Sequence, residues 1–468
     1  GNAARKIAIV GAGPAGLSCA YFLARMGYKP DVFESAPRPG GMLVQAIPAY
    51  RLPREELARE VRMVERLGVN IETGRTLGRD FTLGDLKDRG YEAAFLAIGA
   101  ALGVPLDLPG ADAQGVDEAM TFLRQYNIRG SVPVGRNVAV IGGGNAAIDA
   151  ARTAIRLGAE SVTVLYRRTR EEMPAYAEEI DEALQEGVKL RTLVNPESFV
   201  VKGGKVVGVV CHPMKLGEFD RSGRRHPEDA TEAARETIPA DQVIVAIGQE
   251  PHWAQSGLQG TFQADRNGRI VTADGHDTAH PGVFAAGDVV TGPDTVVGAM
   301  AQGRAAARRV LVFLTKKGRQ SAVPVDRDAL DYDPVPEEAP RLARAEMARR
   351  DPVLRKRDFD EVELGLTAQQ AVAEAGRCLQ CATCCECRVC EEVCRDVGAI
   401  DHDRTARRIV VSSPAVIVAN EDEIPQREVL GQDRVYRVGN FRRATDMVNV
   451  LMAGSASAGR ALADAASL

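Results

Sequence analysis

The chain has little electrostatic bias. Its 59 Lys and Arg against 64 Asp and Glu leave a net charge of −5 over 468 residues, which gives no electrostatic case for nucleic acid or an anionic membrane as a partner. No stretch approaches the roughly 18 consecutive apolar residues that span a bilayer. The opening residues, Gly1 to Lys6, lead directly into a strand, so no signal peptide is expected and a cytoplasmic location is the expectation. Cysteine is scarce outside one stretch: of nine, only Cys19 and Cys211 lie outside Cys378 to Cys394. An odd number packed so tightly argues against a secreted disulfide framework. No Ser/His/Asp arrangement or catalytic cysteine is visible, and no catalytic residue is assigned. The remaining composition, 45% hydrophobic and 26% charged, is that of an ordinary globular chain with room for two or three domains.

What is present is two glycine fingerprints about 130 residues apart: Gly11-Ala12-Gly13-Pro14-Ala15-Gly16 and Gly142-Gly143-Gly144-Asn145-Ala146-Ala147. Each follows a β-branched strand, Lys6 to Val10 and Asn137 to Ile141, and opens an alanine-rich helix. That context turns a weak motif into a strong one. The first glycine makes the tight turn, the second lets backbone approach a pyrophosphate, and the third permits helix–strand packing. The helix N-terminus then offers unpaired N–H groups to the phosphates. Two such sites predict two dinucleotides.

In the first site the second strand, Asp31 to Glu34, ends in an acid about 20 residues past the fingerprint, where a carboxylate accepts hydrogen bonds from ribose hydroxyls. Gly40-Gly41-Met42 follows, either a further close approach to the ligand or a plain turn. Far downstream, Val283 to Asp288 reads as a short buried strand ending in an acid, followed by a helix-like run from Thr295 and Val296 to Arg304. This pair resembles the second flavin motif of the two-dinucleotide flavoproteins, the glutathione-reductase-like superfamily. The resemblance implies FAD at the first site, with Gly287 and Asp288 at the ribityl chain and the helix N-terminus at Thr295 and Val296 facing the isoalloxazine. Leu96 to Ala100, with Ala97 and Gly99, and Val245 to Glu250, with Ile247 and Gly248, resemble the crossovers into and out of an inserted NAD(P) domain.

At the second site Gly142, Gly144, Asn145, Ala146 and Ala147 are expected to cradle the NAD(P) pyrophosphate. The strand Ser161 to Tyr166 ends in Arg167-Arg168 where an NAD site usually carries Asp or Glu. Arginine can clasp a 2′-phosphate bidentately, favouring NADP(H); the alternatives are a solvated basic turn or stacking on adenine. Two longer strings, Tyr166-Arg167-Arg168 with Glu171 to Ala175, and Ile47-Pro48-Ala49-Tyr50-Arg51-Leu52-Pro53, resemble the NADPH-oxidising small subunit of glutamate synthase and its relatives. The resemblance covers about residues 5 to 315 and resumes near Phe359 to Gly365, and it implies a cofactor contact for Arg51.

Cys378, Cys381, Cys384, Cys385, Cys387, Cys390 and Cys394 fall in one 17-residue stretch. Cys384-x-x-Cys387-x-x-Cys390-x-x-x-Cys394 has the bacterial ferredoxin spacing, with Arg395 in place of the usual proline. The set predicts one [4Fe–4S] cluster drawing on Cys378, Cys381, Cys384, Cys387, Cys390 and Cys394; a second would need a non-cysteine ligand or one from a partner. Zinc and a redox dithiol are the alternatives. Glutamate synthase small subunits carry their cysteine-rich domain ahead of the flavin fingerprint, whereas here the cysteines follow a linker.

The expected architecture is therefore α/β: two Rossmann-like dinucleotide-binding domains, the NAD(P) domain inserted in the FAD domain, plus a small ferredoxin-like iron–sulfur segment. The expected boundaries are 1–110 and 253–315 for FAD, 111–252 for NAD(P), 316–366 for a linker, 367–406 for the cluster and 407–468 for a tail. In the linker, Arg349, Arg350, Arg355, Lys356 and Arg357 read as a solvated helix face or a dock for an acidic partner. The tail run Val435 to Asn440 echoes Val283 to Asp288, by decay of a repeat or by coincidence. The expected function is an oxidoreductase subunit that exchanges hydride with NAD(P)(H) through FAD and passes single electrons through the cluster to other subunits of a complex. Its arrangement resembles the flavin subunits of anaerobic 2-oxoacid oxidoreductases such as phenylglyoxylate dehydrogenase. The alternatives are a glutamate synthase small subunit and a non-catalytic cofactor-bearing scaffold.

Overall fold

The computed structural model describes residues 5–219, 224–230, 233–251, 253, 258, 260–273, 276–315 and 343–376, and the backbone of 416–418 and 435–437. The chain divides after Thr383 into a large unit and a small one.

The large unit begins with alternating elements: β1 (Lys6–Val10), α1 (Pro14–Arg25), β2 (Asp31–Glu34), α2 (Met42–Gln45), α3 (Arg54–Arg66), β3 (Asn70–Thr73), α4 (Leu83–Asp88), β4 (Tyr91–Leu96) and the two-residue β5 (Leu102–Gly103). The inner strands are apolar on both faces, as parallel strands covered by helices must be: β1 is buried from Ile7 to Val10 and β4 from Ala93 to Leu96, while the edge strand β3 is largely exposed. Pro14 at the first turn presets α1, since its missing N–H is not needed there.

The chain then builds a second parallel system. It contains β6 (Val116–Glu118), α5 (Ala119–Arg129), β7 (Asn137–Ile141), α6 (Asn145–Arg156), β8 (Ser161–Tyr166), α7 (Ala177–Gln185) and β9 (Lys189–Thr192). An antiparallel set follows: β10 (Val194–Lys202), β11 (Lys205–Phe219), β12 (Arg225–Asp229) and β13 (Glu236–Pro239). β14 (Gln242–Val245) returns between β6 and β7 in the second parallel sheet, whose order is β6-β14-β7-β8-β9, and β15 (Gln249–Glu250) pairs with β5 on the way out. The antiparallel addition is not signalled by the fingerprints; it packs Val194, Phe199, Val209 and the buried Cys211 against the second sheet.

Finally β16 (Val283–Ala285) joins the first sheet, giving the order β16-β4-β1-β2-β3. A single sheet thus takes strands from both sides of the second one in sequence. α8 (Asp288–Thr291) and the long α9 (Val296–Thr315) follow. Asp288 therefore opens a helical turn three residues beyond the strand instead of ending the strand itself. α9 lies against α1, and a Cβ on Gly303 would fall on the Ala15 carbonyl oxygen, so glycine sets this helix separation.

Past residue 343 the chain corrects the sequence reading. α10 (Pro352–Arg355) is one turn, capped by Asp351, and α11 (Ala368–Gly376) follows. The Arg349–Arg357 cluster is not a free basic face. Arg355 is buried, donating from Nε to Glu186 at 2.8 Å; Arg349 pairs with Glu182 and Glu363, and Arg350 with Asp358. The partners lie up to 169 residues away, beyond any local pattern. Phe359 stacks on Tyr126 at 4.1 Å, and the Val362 N–H donates to the Tyr50 carbonyl. In the small unit β17 (Val416–Val418) and β18 (Val435–Arg437) pair in parallel. No helix among the described residues is long and apolar enough to cross a membrane.

Candidate cofactor sites

At the C-terminal ends of β1, β2, β4 and β16 lies a cavity of about 530 Å³, at the edge where open α/β sheets take their ligands. It gathers Gly11, Gly13, Pro14, Ala15, Glu34, Gly41, Met42, Ala97, Gly99, Gly287, Asp288, Thr295 and Val296, thirteen residues singled out in the sequence and drawn from five stretches. Gly11 has φ of +103°, and a Cβ there would fall on the Ala97 carbonyl oxygen; this is the tight turn the fingerprint requires. Gly16 stands one turn into α1, outside the lining, where a Cβ would strike the Gly11 carbonyl.

Glu34 is buried at the end of β2. Its Oε2 accepts the Ala12 N–H and its Oε1 the Ala36 N–H, both at 2.7 Å. The carboxylate thus ties the fingerprint loop to β2, and each oxygen keeps lone-pair capacity for a ribose hydroxyl. Asp288 is half-buried at the opposite wall. Burial pushes its carboxyl up to about 6, against a hydrogen bond from the Asp294 backbone, while the Asp294 charge adds to the rise. The start of α9 points at the cavity through Thr295 and Val296, where the helix dipole favours negative charge.

Two groups of lining residues were missed. Arg75, Thr76 and Leu77 follow β3, and Arg124, Gln125, Ile128 and Arg129 come from α5. The second group has the spacing of one helix face. That face lies opposite Phe122 and Leu123, which are buried in the core of the second sheet. Arg51, assigned to a cofactor by resemblance, is not in the lining, although Ile47 of the same string is. Its Nη1 donates to both Asp149 oxygens at 2.9 and 2.8 Å, and its Nε reaches Glu179 at 2.8 Å.

At the second fingerprint a Cβ on Gly142 would fall on the Ala246 carbonyl, whereas one on Gly144 would meet nothing within 4 Å. Ala147 is fully buried against the second core, and Asn145 and Ala146 form the first turn of α6. The string after β8 folds back over this loop. Ala175 N–H donates to the Gly143 carbonyl, and Tyr176 N–H to Asn145 Oδ1, both at 3.1 Å; Tyr166 Oη donates to the Glu172 carbonyl at 2.8 Å. Of the arginine pair, Arg167 is exposed while Arg168 is buried, its Nε donating to the Arg225 carbonyl at 2.7 Å. Ile247 and Gly248 are exposed after β14, outside the first cavity.

Residues 5–303 match the family described as pyridine nucleotide-disulphide oxidoreductase. The chain belongs to that family. It is 43% identical over 391 residues to the NADP(+)-dependent formate dehydrogenase subunit beta of Moorella thermoacetica, covering 81% of this chain and 54% of that one. It thus spans about half the length of that relative. It is 38% identical over 326 residues to the glutamate synthase [NADPH] small chain of Escherichia coli, covering 66% of this chain and 69% of that one. The resemblance to the glutamate synthase small subunit is borne out. Among solved structures, Mycobacterium tuberculosis FprA in complex with NADPH superposes with a TM-score of 0.59 at 20% identity, over 67% of this chain and 85% of that one, a likeness of fold.

A pyridine nucleotide-disulphide oxidoreductase of this kind carries FAD and NAD(P)H, and both cradles fit them. The first has room and an acid at each end of the cavity; the second leaves open space at Gly144, where backbone can approach a pyrophosphate. The name of the family includes a disulphide, but Cys19 and Cys211 are free and buried, with burial pushing the Cys211 thiol up to about 12. Neither is poised as a redox thiolate. The cysteines from Cys378 to Cys394 lie outside the described residues. Among the described residues no cluster of His, Cys, Asp or Glu could hold a metal.

Proposed function

We propose that this chain is the NAD(P)H-linked flavoprotein subunit of a larger electron-transfer complex, with FAD in the first cavity, NADP(H) at the second fingerprint and one [4Fe–4S] cluster on the cysteine run. The observation that carries the reading is the cavity, which collects both halves of a split flavin motif, Gly11 and Gly13 to Ala15 with Asp288 and Asp294 to Val296, around one space. The flavin, when bound, supplies the exchange between a two-electron nicotinamide and a one-electron iron–sulfur centre. The chain's own part is to bind and orient. Gly11, Gly13 and the N-terminus of α1 hold the FAD pyrophosphate, Glu34 a ribose, and Asp288 the ribityl chain. Gly142, Gly144, Asn145 and Ala146 hold the nicotinamide dinucleotide, with Arg167 beside its 2′-phosphate. Cys384, Cys387, Cys390 and Cys394 supply four thiolates, with Cys378 and Cys381 in reserve.

Relatives named as beta or small subunits support a place in a complex, and NADP in both of their names favours NADP(H) over NAD(H). They do not favour a 2-oxoacid partner over formate or glutamate chemistry. Co-purification from the source separates these partners: thiamine-diphosphate subunits, a formate-oxidising subunit or a glutamine amidotransferase. The reading itself is tested on full-length protein prepared without oxygen, by assay of flavin, iron and sulfide and by titration with NADPH and NADH. Bleaching of the flavin band near about 450 nm by either nucleotide is expected, as flavin chemistry requires. Protein that carries flavin and iron but bleaches with neither nucleotide is a scaffold, and the proposal fails.

A further inference from the structure

Helix α5 belongs to the second sheet yet walls the first cavity. Its residues Ala119, Phe122 and Leu123 are buried in the second core, while Arg124, Gln125, Ile128 and Arg129 line the cavity. Asn127 fastens this arrangement. Its Nδ2 donates to the carbonyls of Gln45 and Ala46, each at 3.1 Å, and its Oδ1 accepts from Arg54 Nη2 at 3.0 Å. One edge of the Arg124 guanidinium is anchored: Nη2 donates to the Ala101 carbonyl at 2.7 Å, on the crossover that also lines the cavity. Its Nη1 has no hydrogen-bond partner among the described residues and is not buried. A guanidinium N–H at the wall of a cavity is a strong donor to an anionic or carbonyl oxygen.

We propose that Arg124 is a ligand of FAD, its Nη1 donating to an oxygen of the bound cofactor. The acceptor is either a pyrophosphate oxygen or a ring carbonyl oxygen of the isoalloxazine. Arg124 brings a positive charge from the nicotinamide side of the chain to the flavin side, so that retention of FAD depends on α5 staying docked through Asn127. The inference rests on the reading of the first cavity as the FAD site.

The test compares apoprotein of the full chain with Arg124→Met and Arg124→Lys, measuring FAD and riboflavin affinity by fluorescence and apoprotein melting in parallel. A charge-assisted hydrogen bond is worth about ten- to a hundredfold in affinity. Arg124→Met is expected to weaken FAD by that factor, and Arg124→Lys to recover part of it. Equal weakening of riboflavin places the acceptor on the ring; weakening of FAD alone places it on the pyrophosphate. An Arg124→Met apoprotein that melts lower but binds FAD like the unaltered chain overturns the proposal and leaves Arg124 as a cap for Ala101. If Arg124→Met does not fold, unchanged FAD affinity in Arg124→Lys overturns it equally. Unaltered apoprotein that binds riboflavin but not FAD, or neither, overturns this proposal and the flavoprotein reading together.

Discussion

Arg51 and Asp149 meet across the seam between the two parallel sheets, with one guanidinium nitrogen held by both carboxylate oxygens at 2.9 and 2.8 Å. Arg51 sits on the loop before α3; Asp149 lies on α6, one turn beyond the second fingerprint. Below them the Tyr50 ring lies under Arg152 and Arg156, at 4.7 and 3.9 Å from their guanidinium carbons. Glu186, fully buried, takes hydrogen bonds from Arg152, Arg156 and Arg355. The network joins the first sheet, the second sheet and the segment past residue 343 in one place. Ion networks of this kind specify an arrangement more than they stabilise it.

Removing one partner should therefore cost more than removing both. Arg51→Met leaves Asp149 and Glu179 facing each other in a buried seam, and is expected to destabilise the chain by about 3 kcal/mol. Adding Asp149→Leu to it should recover a measurable part of that loss. Urea unfolding of the two variants and the unaltered chain checks this; a double variant less stable than the single one would contradict it.

The pH dependence of the apoprotein has two opposed limbs. Burial alone would raise the Glu186 carboxyl, but hydrogen bonds and charge from Arg156 and Arg152 bring it down to about 2 from 4.5. A lowered folded value means stability that is full above 4.5 and lost as the pH falls toward about 2. Asp288 is raised from 3.8 to about 6, so the folded chain holds the extra proton between those values. Stability from that group therefore increases as pH falls from about 6 to about 4. Unfolding midpoints between pH 7 and pH 2 should trace both slopes. Asp288→Asn should reduce the upper one, which Asp149, raised by burial to about 6, shares. Glu186→Gln should reduce the lower one, which Asp358, lowered to about 2 by Arg350, shares.

Glycine substitutions separate fold from ligand. Gly144 has extended backbone, with φ of −89°, and open space at its Cβ position. Gly144→Ala should fold and melt like the unaltered chain, yet raise KM for the nicotinamide nucleotide at least tenfold, because the methyl occupies the room a pyrophosphate needs. Gly303→Ala should do the reverse. Its Cβ falls on the Ala15 carbonyl, and overpacking of this kind costs about 1–3 kcal/mol. Steady-state kinetics beside thermal melting discriminates the two.

What the sequence made legible was local. Each fingerprint announces its own strand, turn and helix within about 15 residues, and Glu34 and Asp288 stand at fixed offsets from such signals. Arg124 carries no comparable mark. Its role depends on α5 being buried by one sheet and facing a cavity of the other, a relation set by tertiary packing. Arg355 misleads for the same reason: a basic residue among basic neighbours reads as solvated until its acid, Glu186, is brought in from 169 residues away. Arg51 belongs to a family-specific string, yet the acids that hold it lie on α6 and α7.

The pair Arg167–Arg168 offers a last test, because identical side chains at adjacent positions have diverged. Arg167 is exposed at the end of β8 and free to meet a 2′-phosphate; Arg168 is turned inward, onto the Arg225 carbonyl. Arg225 in turn donates to Glu172 at 2.9 Å, fastening the strand β12 to the loop that covers the second fingerprint. Arg167→Leu should raise KM for NADPH about tenfold or more while leaving KM for NADH and the melting temperature nearly unchanged, as loss of a charged hydrogen bond to one phosphate predicts. Arg168→Leu should lower the melting temperature and raise KM for both nucleotides together, since it loosens the loop without touching the phosphate. If Arg167→Leu shifts NADPH and NADH equally, the 2′-phosphate assignment is wrong, and the exposed arginine serves the adenine common to both.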